Sequence, residues 1–121
     1  EPRMHVQAVA RMQLEADLRV AIESGEFSLV FQPIVRLESG RPVHLEALVR
    51  WVHPTLGPVG PDVFVPLAEE TGLIVPLGRW ILAEACRACV RWNADLAGAE
   101  RIGVAVNISP RQLEEAGIVA Q

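Results

Sequence analysis

Val6, Ala10, Leu14, Leu18 and Ile22 recur every four residues, a spacing that predicts an amphipathic helix, with Gly25 placed to end it in a left-handed conformation. From Phe27 to Leu37 the period changes to two. Phe27, Leu29, Phe31 and Val35 fall on one face and Ser28, Gln32 and Arg36 on the other, the pattern of a half-buried strand. Pro33 cannot donate to a ladder, so this strand lies at an edge, carries a bulge or ends there. Glu38-Ser39-Gly40-Arg41 supplies a turn, and the next run predicts a second strand that pairs back as an antiparallel hairpin. In that strand Val43, Leu45, Ala47, Val49 and Trp51 form an apolar face fit for a helix layer, while His44, Glu46, Leu48 and Arg50 point the other way. Glu46 and Arg50 share a face about 13 Å apart along the strand, so they suit two parts of one ligand better than each other.

After Trp51, the stretch with Pro54, Gly57, Pro58, Gly60 and Pro61 reads as a structured loop with no regular element of its own. A short helix follows, with Asp62 as its cap, Pro66 opening or kinking it and Gly72 ending it. Pro76 suits the first turn of a longer helix running to Leu96, whose buried stripe is Leu77, Trp80, Ile81, Ala85, Ala88, Cys89, Trp92 and Leu96. Cys86 and Cys89 spell C-x-x-C, but they sit inside that helix with no second pair, so both are expected to be small core-facing thiols. A last strand, Ile102 to Ile108, puts Ile102, Val104, Val106 and Ile108 on one face and the small or polar Gly103, Ala105 and Asn107 on the other. Ser109-Pro110-Arg111-Gln112 then begins a capped helix.

Composition narrows the classes. Half of the 121 residues are hydrophobic, enough for one domain-sized core, and no run approaches the roughly 18 apolar residues of a membrane helix. The start is not a secretory signal, and the segment reads as cytoplasmic, whatever anchors the parent protein. A net charge of −4 with only isolated arginines argues against DNA or RNA as a partner. All 11 basic residues are Arg, which rules out lysine chemistry within the segment.

The order of blocks from Phe27 to Ser109 resembles the first part of EAL domains, which hydrolyse the bacterial messenger cyclic di-GMP. The resemblance rests on Gln32-Pro33-Ile34, the name-giving Glu46-Ala47-Leu48, Arg50-Trp51 with His53-Pro54, Phe64-Val65-Pro66 with Ala68-Glu69, Gly72-Leu73-Ile74, and Val106-Asn107-Ile108-Ser109. Residues 1–25 resemble the helix that often joins an upstream GGDEF or sensor domain to an EAL domain, and residues 26–121 the N-terminal half of the EAL domain itself. The fold implied is α/β, the opening of a modified (β/α)8 TIM-like barrel with an antiparallel first strand. Only about three of its strands fall in this chain, and an open sheet edge makes a homo-oligomer a natural outcome.

The resemblance also implies roles. Glu46 and Asn107 match metal-ligating positions, Glu46 being catalytic as well, and their oxygens suit Mg²⁺ or Mn²⁺. Gln32, Leu48 and Arg50 match substrate-binding positions, and the planar guanidinium of Arg50 suits a phosphodiester. From the residues alone, Glu46 and Arg50 could be solvated surface groups, Asn107 a turn residue, His44 a satisfied polar group and His53 a hydrogen-bonding pin for its loop. The function implied is metal-dependent hydrolysis of cyclic di-GMP to linear pGpG, with this segment silent by itself because further carboxylates and a lysine are expected from later strands. The alternative is a non-catalytic EAL module that binds cyclic di-GMP or a protein partner in signalling.

Overall fold

A computed structural model describes residues 2–35, 38, 40, 42–94 and 102–106. Its elements are α1 (Pro2–Glu23), β1 (Phe27–Val35), β2 (Pro42–His53), β3 (Gly57–Val59), α2 (Pro61–Thr71), α3 (Ile74–Asn93) and β4 (Gly103–Val106). Helix α1 turns Leu18 and Ala21 into the core, with Leu14 and Ile22 packed beside them; Leu14, Leu18 and Ile22 follow the fourfold spacing, whereas Ala10 of that series is exposed and Ala21 lies outside it. Gly25, at φ 75°, takes the left-handed conformation that lets the chain reverse into β1.

Strands β1 and β2 are antiparallel, in a register that runs from Phe27 opposite Trp51 to Ile34 opposite His44 and then shifts by one residue at Val35. The described strand runs to Val35, and the expected end at Leu37 lies outside the described residues. Pro33 is tolerated because β1 pairs with β2 alone among the described residues, so its missing N–H falls on an edge strand. On its other edge β2 carries two short partners: β3, antiparallel to Trp51–His53, and β4, parallel to His44–Ala47. The β3 strand corrects the expectation of a loop without regular structure. Gly57, at φ 77°, folds the chain back, and Pro58 can sit in a three-residue edge strand.

The chain passes from β2 to the parallel β4 through α2 and α3, the crossover that parallel strands require. Helix α2 has Gly60 at its cap position and a proline at its start, so Asp62 sits inside the first turn instead of capping it. Gly72, at φ 82°, ends α2 as expected. Helix α3 starts at Ile74, two residues before Pro76, and ends at Asn93. Its buried stripe is Leu77, Ile81, Ala85 and Ala88. Cys86 is exposed and Cys89 only half-buried, against the expectation that both face the core. The stripe centres on Ala85 and Ala88, which turns Cys86, one residue on from Ala85, away from the sheet.

The core is an aromatic cluster between the sheet and the helices. Phe27 stacks on Trp51 with ring centroids 5.5 Å apart, and Phe64 meets both rings edge-on at 5.4 and 6.0 Å. Trp80, half-buried, packs against this cluster 6.3 Å from Phe27, and the half-buried Trp92 meets Phe31 edge-on at 4.5 Å outside it.

Strand β4 is pinned at its start by one side chain. Asn93 accepts the Ile102 N–H through Oδ1 at 2.7 Å, and its Nδ2 donates to the carbonyls of Ile102 at 2.7 Å and Cys89 at 2.9 Å. The amide thereby closes the helix end and takes the place of a strand partner for Ile102. Replacing Asn93 by Asp turns the donor into a carboxylate oxygen facing two carbonyls. A loss of about 1–3 kcal/mol is expected in urea denaturation, larger than that of Asn93→Ala.

Candidate functional site

The alternation of β2 separates a packing face from a working face. Ala47 and Trp51 are buried against the helices, with Leu45 and Val49 half-buried beside them. Glu46 and Leu48 are half-buried on the opposite face, and Arg50 is exposed there. Residues directly opposite each other on neighbouring strands share a face. Glu46 has Gln32 opposite it on one side and Ala105 on the other, which makes a lateral row Gln32–Glu46–Ala105 across three strands. Val30 stands opposite Leu48 and Ser28 opposite Arg50 in the next rows. The expected small neighbours are in place, with Gly103 beside His44 and Ala105 beside Glu46, so backbone, not bulk, borders the carboxylate on that side.

Of the residues expected to act on a ligand, Gln32, Glu46, Leu48 and Arg50 are thus brought to one sheet face by register and alternation. Asn107 lies outside the described residues. Among the described residues no group of three or more His, Cys, Asp or Glu side chains could hold a metal ion. His44 is half-buried on the Glu46 face.

Between the end of β4, opposite Ala47, and β3, opposite Trp51, residues Leu48–Arg50 have a strand partner only in β1 among the described residues. A cavity of about 510 Å³ lies beside these residues. Its walls include Leu48, Arg50 and Val106 from the strands, Asp62, Val65 and Glu69 from α2, and Ile74, Leu77 and Ile81 from α3. The acidic pair Asp62 and Glu69 was not singled out from sequence as lining anything. The signal available was their spacing of seven residues, two helical turns, which puts both on one side of α2.

His53, at the end of β2, is buried and does pin its loop. Its Nδ1 accepts the N–H groups of Thr55 and Leu56, each at 3.1 Å, and its Nε2 lies 2.7 Å from Asp17 Oδ2. The hydrogen bond with His53, then that with Gln13, holds the Asp17 carboxyl below its ordinary value of 3.8, with burial opposing weakly. A lowered folded-state value means the contribution to stability is present above that ordinary value and is lost as pH falls through the folded one. Asp17→Asn is therefore expected to flatten the acid limb of stability below about pH 4, measured by denaturation across a pH series.

Residues 15–121 match the family model for the EAL domain. Among curated relatives, the bifunctional diguanylate cyclase/cyclic di-GMP phosphodiesterase MucR of Pseudomonas aeruginosa is 43% identical over 119 residues, covering 98% of this chain and 17% of that protein. The cyclic di-GMP phosphodiesterase NbdA of the same organism is 45% identical over 114 residues, covering 94% of this chain and 14% of that protein. Among solved structures, the PaMucR phosphodiesterase in complex with c-di-GMP superposes with a TM-score of 0.80 at 44% identity, over 88% of this chain and 42% of that one. The FimX EAL domain of Pseudomonas aeruginosa bound to c-di-GMP gives 0.69 at 27% identity, over 85% and 39%. The chain therefore spans less than half the length of these relatives, and its fold is the corresponding part of their TIM-like α/β architecture.

Proposed function

The chain belongs to the EAL domain family, and from that premise we propose that it is the N-terminal part of a cyclic di-GMP phosphodiesterase domain that opens the cyclic dinucleotide to linear pGpG. The observation that carries this reading is the row Gln32–Glu46–Ala105, continued along β2 by Leu48 and Arg50, on the face turned away from the helices. Arg50 presents a planar, permanently charged fork to a phosphodiester oxygen. The Gln32 amide offers both a donor and an acceptor to a guanine edge or a phosphate oxygen. Leu48, half-buried between them, supplies apolar contact for the ligand.

Glu46 offers one hard oxygen ligand to a divalent cation, and Asn107 is assigned the second. When bound, Mg²⁺ or Mn²⁺ supplies charge neutralisation and an activated water for phosphodiester cleavage. One carboxylate and one amide do not complete such a site, because Mg²⁺ sheds its waters reluctantly and needs several fixed partners. The segment fits a metal only as part of a larger set, so it is expected to be silent by itself. Linearisation of cyclic di-GMP with Mg²⁺ is measured on this segment and on a chain extended to the full domain. Turnover by the extended chain alone is the expected result, and turnover by the segment overturns it. Binding without turnover in the extended chain moves the assignment to a non-catalytic receptor.

The setting proposed is cytoplasmic, with α1 leading from a GGDEF or sensor domain. Among the described residues, no helix is long and apolar enough to cross a membrane. Pairing of two copies through the open strand edge is the proposed oligomer, and the mass in size-exclusion chromatography tests it.

A further inference from the structure

Helix α1 is tied to the end of β2 more completely than packing requires. Two backbone N–H groups, from Thr55 and Leu56, point at His53 Nδ1 at 3.1 Å, and the Thr55 hydroxyl stands 3.2 Å from the same atom. A nitrogen that accepts N–H groups has no proton of its own, so the ring proton is on Nε2 and is donated to Asp17 Oδ2 at 2.7 Å. The other carboxylate oxygen of Asp17 accepts from Gln13 Nε2 at 2.9 Å, one turn earlier on α1. Every polar atom of this bridge is engaged, and its tautomer is fixed by the turn it holds.

A second tie runs beside it. Glu26, in the short link between α1 and β1, accepts the indole N–H of Trp51 at 3.1 Å through Oε1 and the Val52 N–H at 3.2 Å through its backbone carbonyl. The residues gripped from the α1 side are therefore Trp51, Val52 and His53, which directly follow Arg50 on the same strand. This strand is paired with β1 up to Trp51 and with β3 from Trp51 to His53, so a shift of α1 reaches Arg50 through covalent neighbours in a paired strand.

We infer that His53 is a positioning residue: through its Nε2–H···Asp17 bond it couples the placement of α1 to the turn after β2 and to Arg50 at the ligand face. The inference rests on the proposed role of Arg50, but its test uses no cyclic dinucleotide, so a failure of the phosphodiesterase reading is seen separately. Nitrogen-15 spectra of the imidazole in the 121-residue chain are expected to show Nδ1 unprotonated and Nε2 protonated. Asp17→Ala is expected to speed amide exchange at Thr55 and Leu56 by roughly fivefold or more and to shift the Arg50 amide resonance. Asp17→Asn, which keeps an acceptor oxygen, is expected to restore both. An Nδ1–H tautomer overturns the inference, as does an Arg50 resonance that stays put while Thr55 and Leu56 accelerate. Equal acceleration at Leu77, Ile81 and Ala85 of α3 also overturns it, because that reports global destabilisation instead of coupling.

Discussion

Replacing Trp51 by alanine is expected to remove about 3–5 kcal/mol of folding stability, measured as a drop in the urea midpoint. Trp51 is 1% exposed, stacks on Phe27 and meets Phe64 edge-on, so its removal leaves a void walled by rings with no small residue able to fill it. A domain with a total of about 5–15 kcal/mol would lose a large share of its reserve. Trp51→Phe is expected to cost less, about 1–3 kcal/mol, because it keeps a six-membered ring in the cluster while it removes the rest of the indole and its N–H to Glu26. A Trp51→Ala variant that unfolds within about 1 kcal/mol of the parent would mean that Phe27 and Phe64 close over the space, and the aromatic cluster would not be the centre of the core.

Glu46→Gln in a chain extended to the full domain is expected to lower turnover of cyclic di-GMP by roughly 10²–10³-fold or more. The substitution keeps shape and volume but exchanges a charged oxygen ligand for a neutral amide oxygen, which holds a hard dication more weakly than a carboxylate does. Glu46 is half-buried on the face away from the aromatic cluster, so the thermal midpoint is expected to stay close to that of the parent. The pair of readouts separates chemistry from folding. Turnover within a few-fold of the parent would remove Glu46 from the catalytic set, and a collapse of the thermal midpoint would reassign it to stability.

Features set by local chemistry were readable before any coordinates. The α1 stripe, the ends of α1 and α2 at Gly25 and Gly72, and the antiparallel hairpin follow from short-range period and turn residues. Alternation alone also put Glu46, Leu48 and Arg50 on one face of β2, because successive strand side chains must point to opposite sides. Errors arose where a neighbour distant in sequence decides the outcome. The run Gly57–Val59 has no strand-like composition and becomes β3 only because Trp51–His53 offers it an edge. Cys86 resembles a core residue by type, and the sheet's position relative to α3 turns it outward. Asp62 has the chemistry of a cap, but Gly60 and Pro61 occupy the positions that would let it act as one.

The amino-acid order by itself determined the family, the element types other than β3 and the division of β2 into a packing face and a face carrying Glu46 and Arg50, since these depend on residue type at fixed spacing. Only the tertiary structure decided that Gln32 and Ala105 flank Glu46, that Asp17 reaches His53, that Asn93 clamps Ile102, and that a cavity opens beside Arg50. Each of these is a contact between segments that the chain brings together only after the sheet register is set and the helices have packed on it. Periodicity carries no information on which strand lies beside which, or on how far one is shifted along the other.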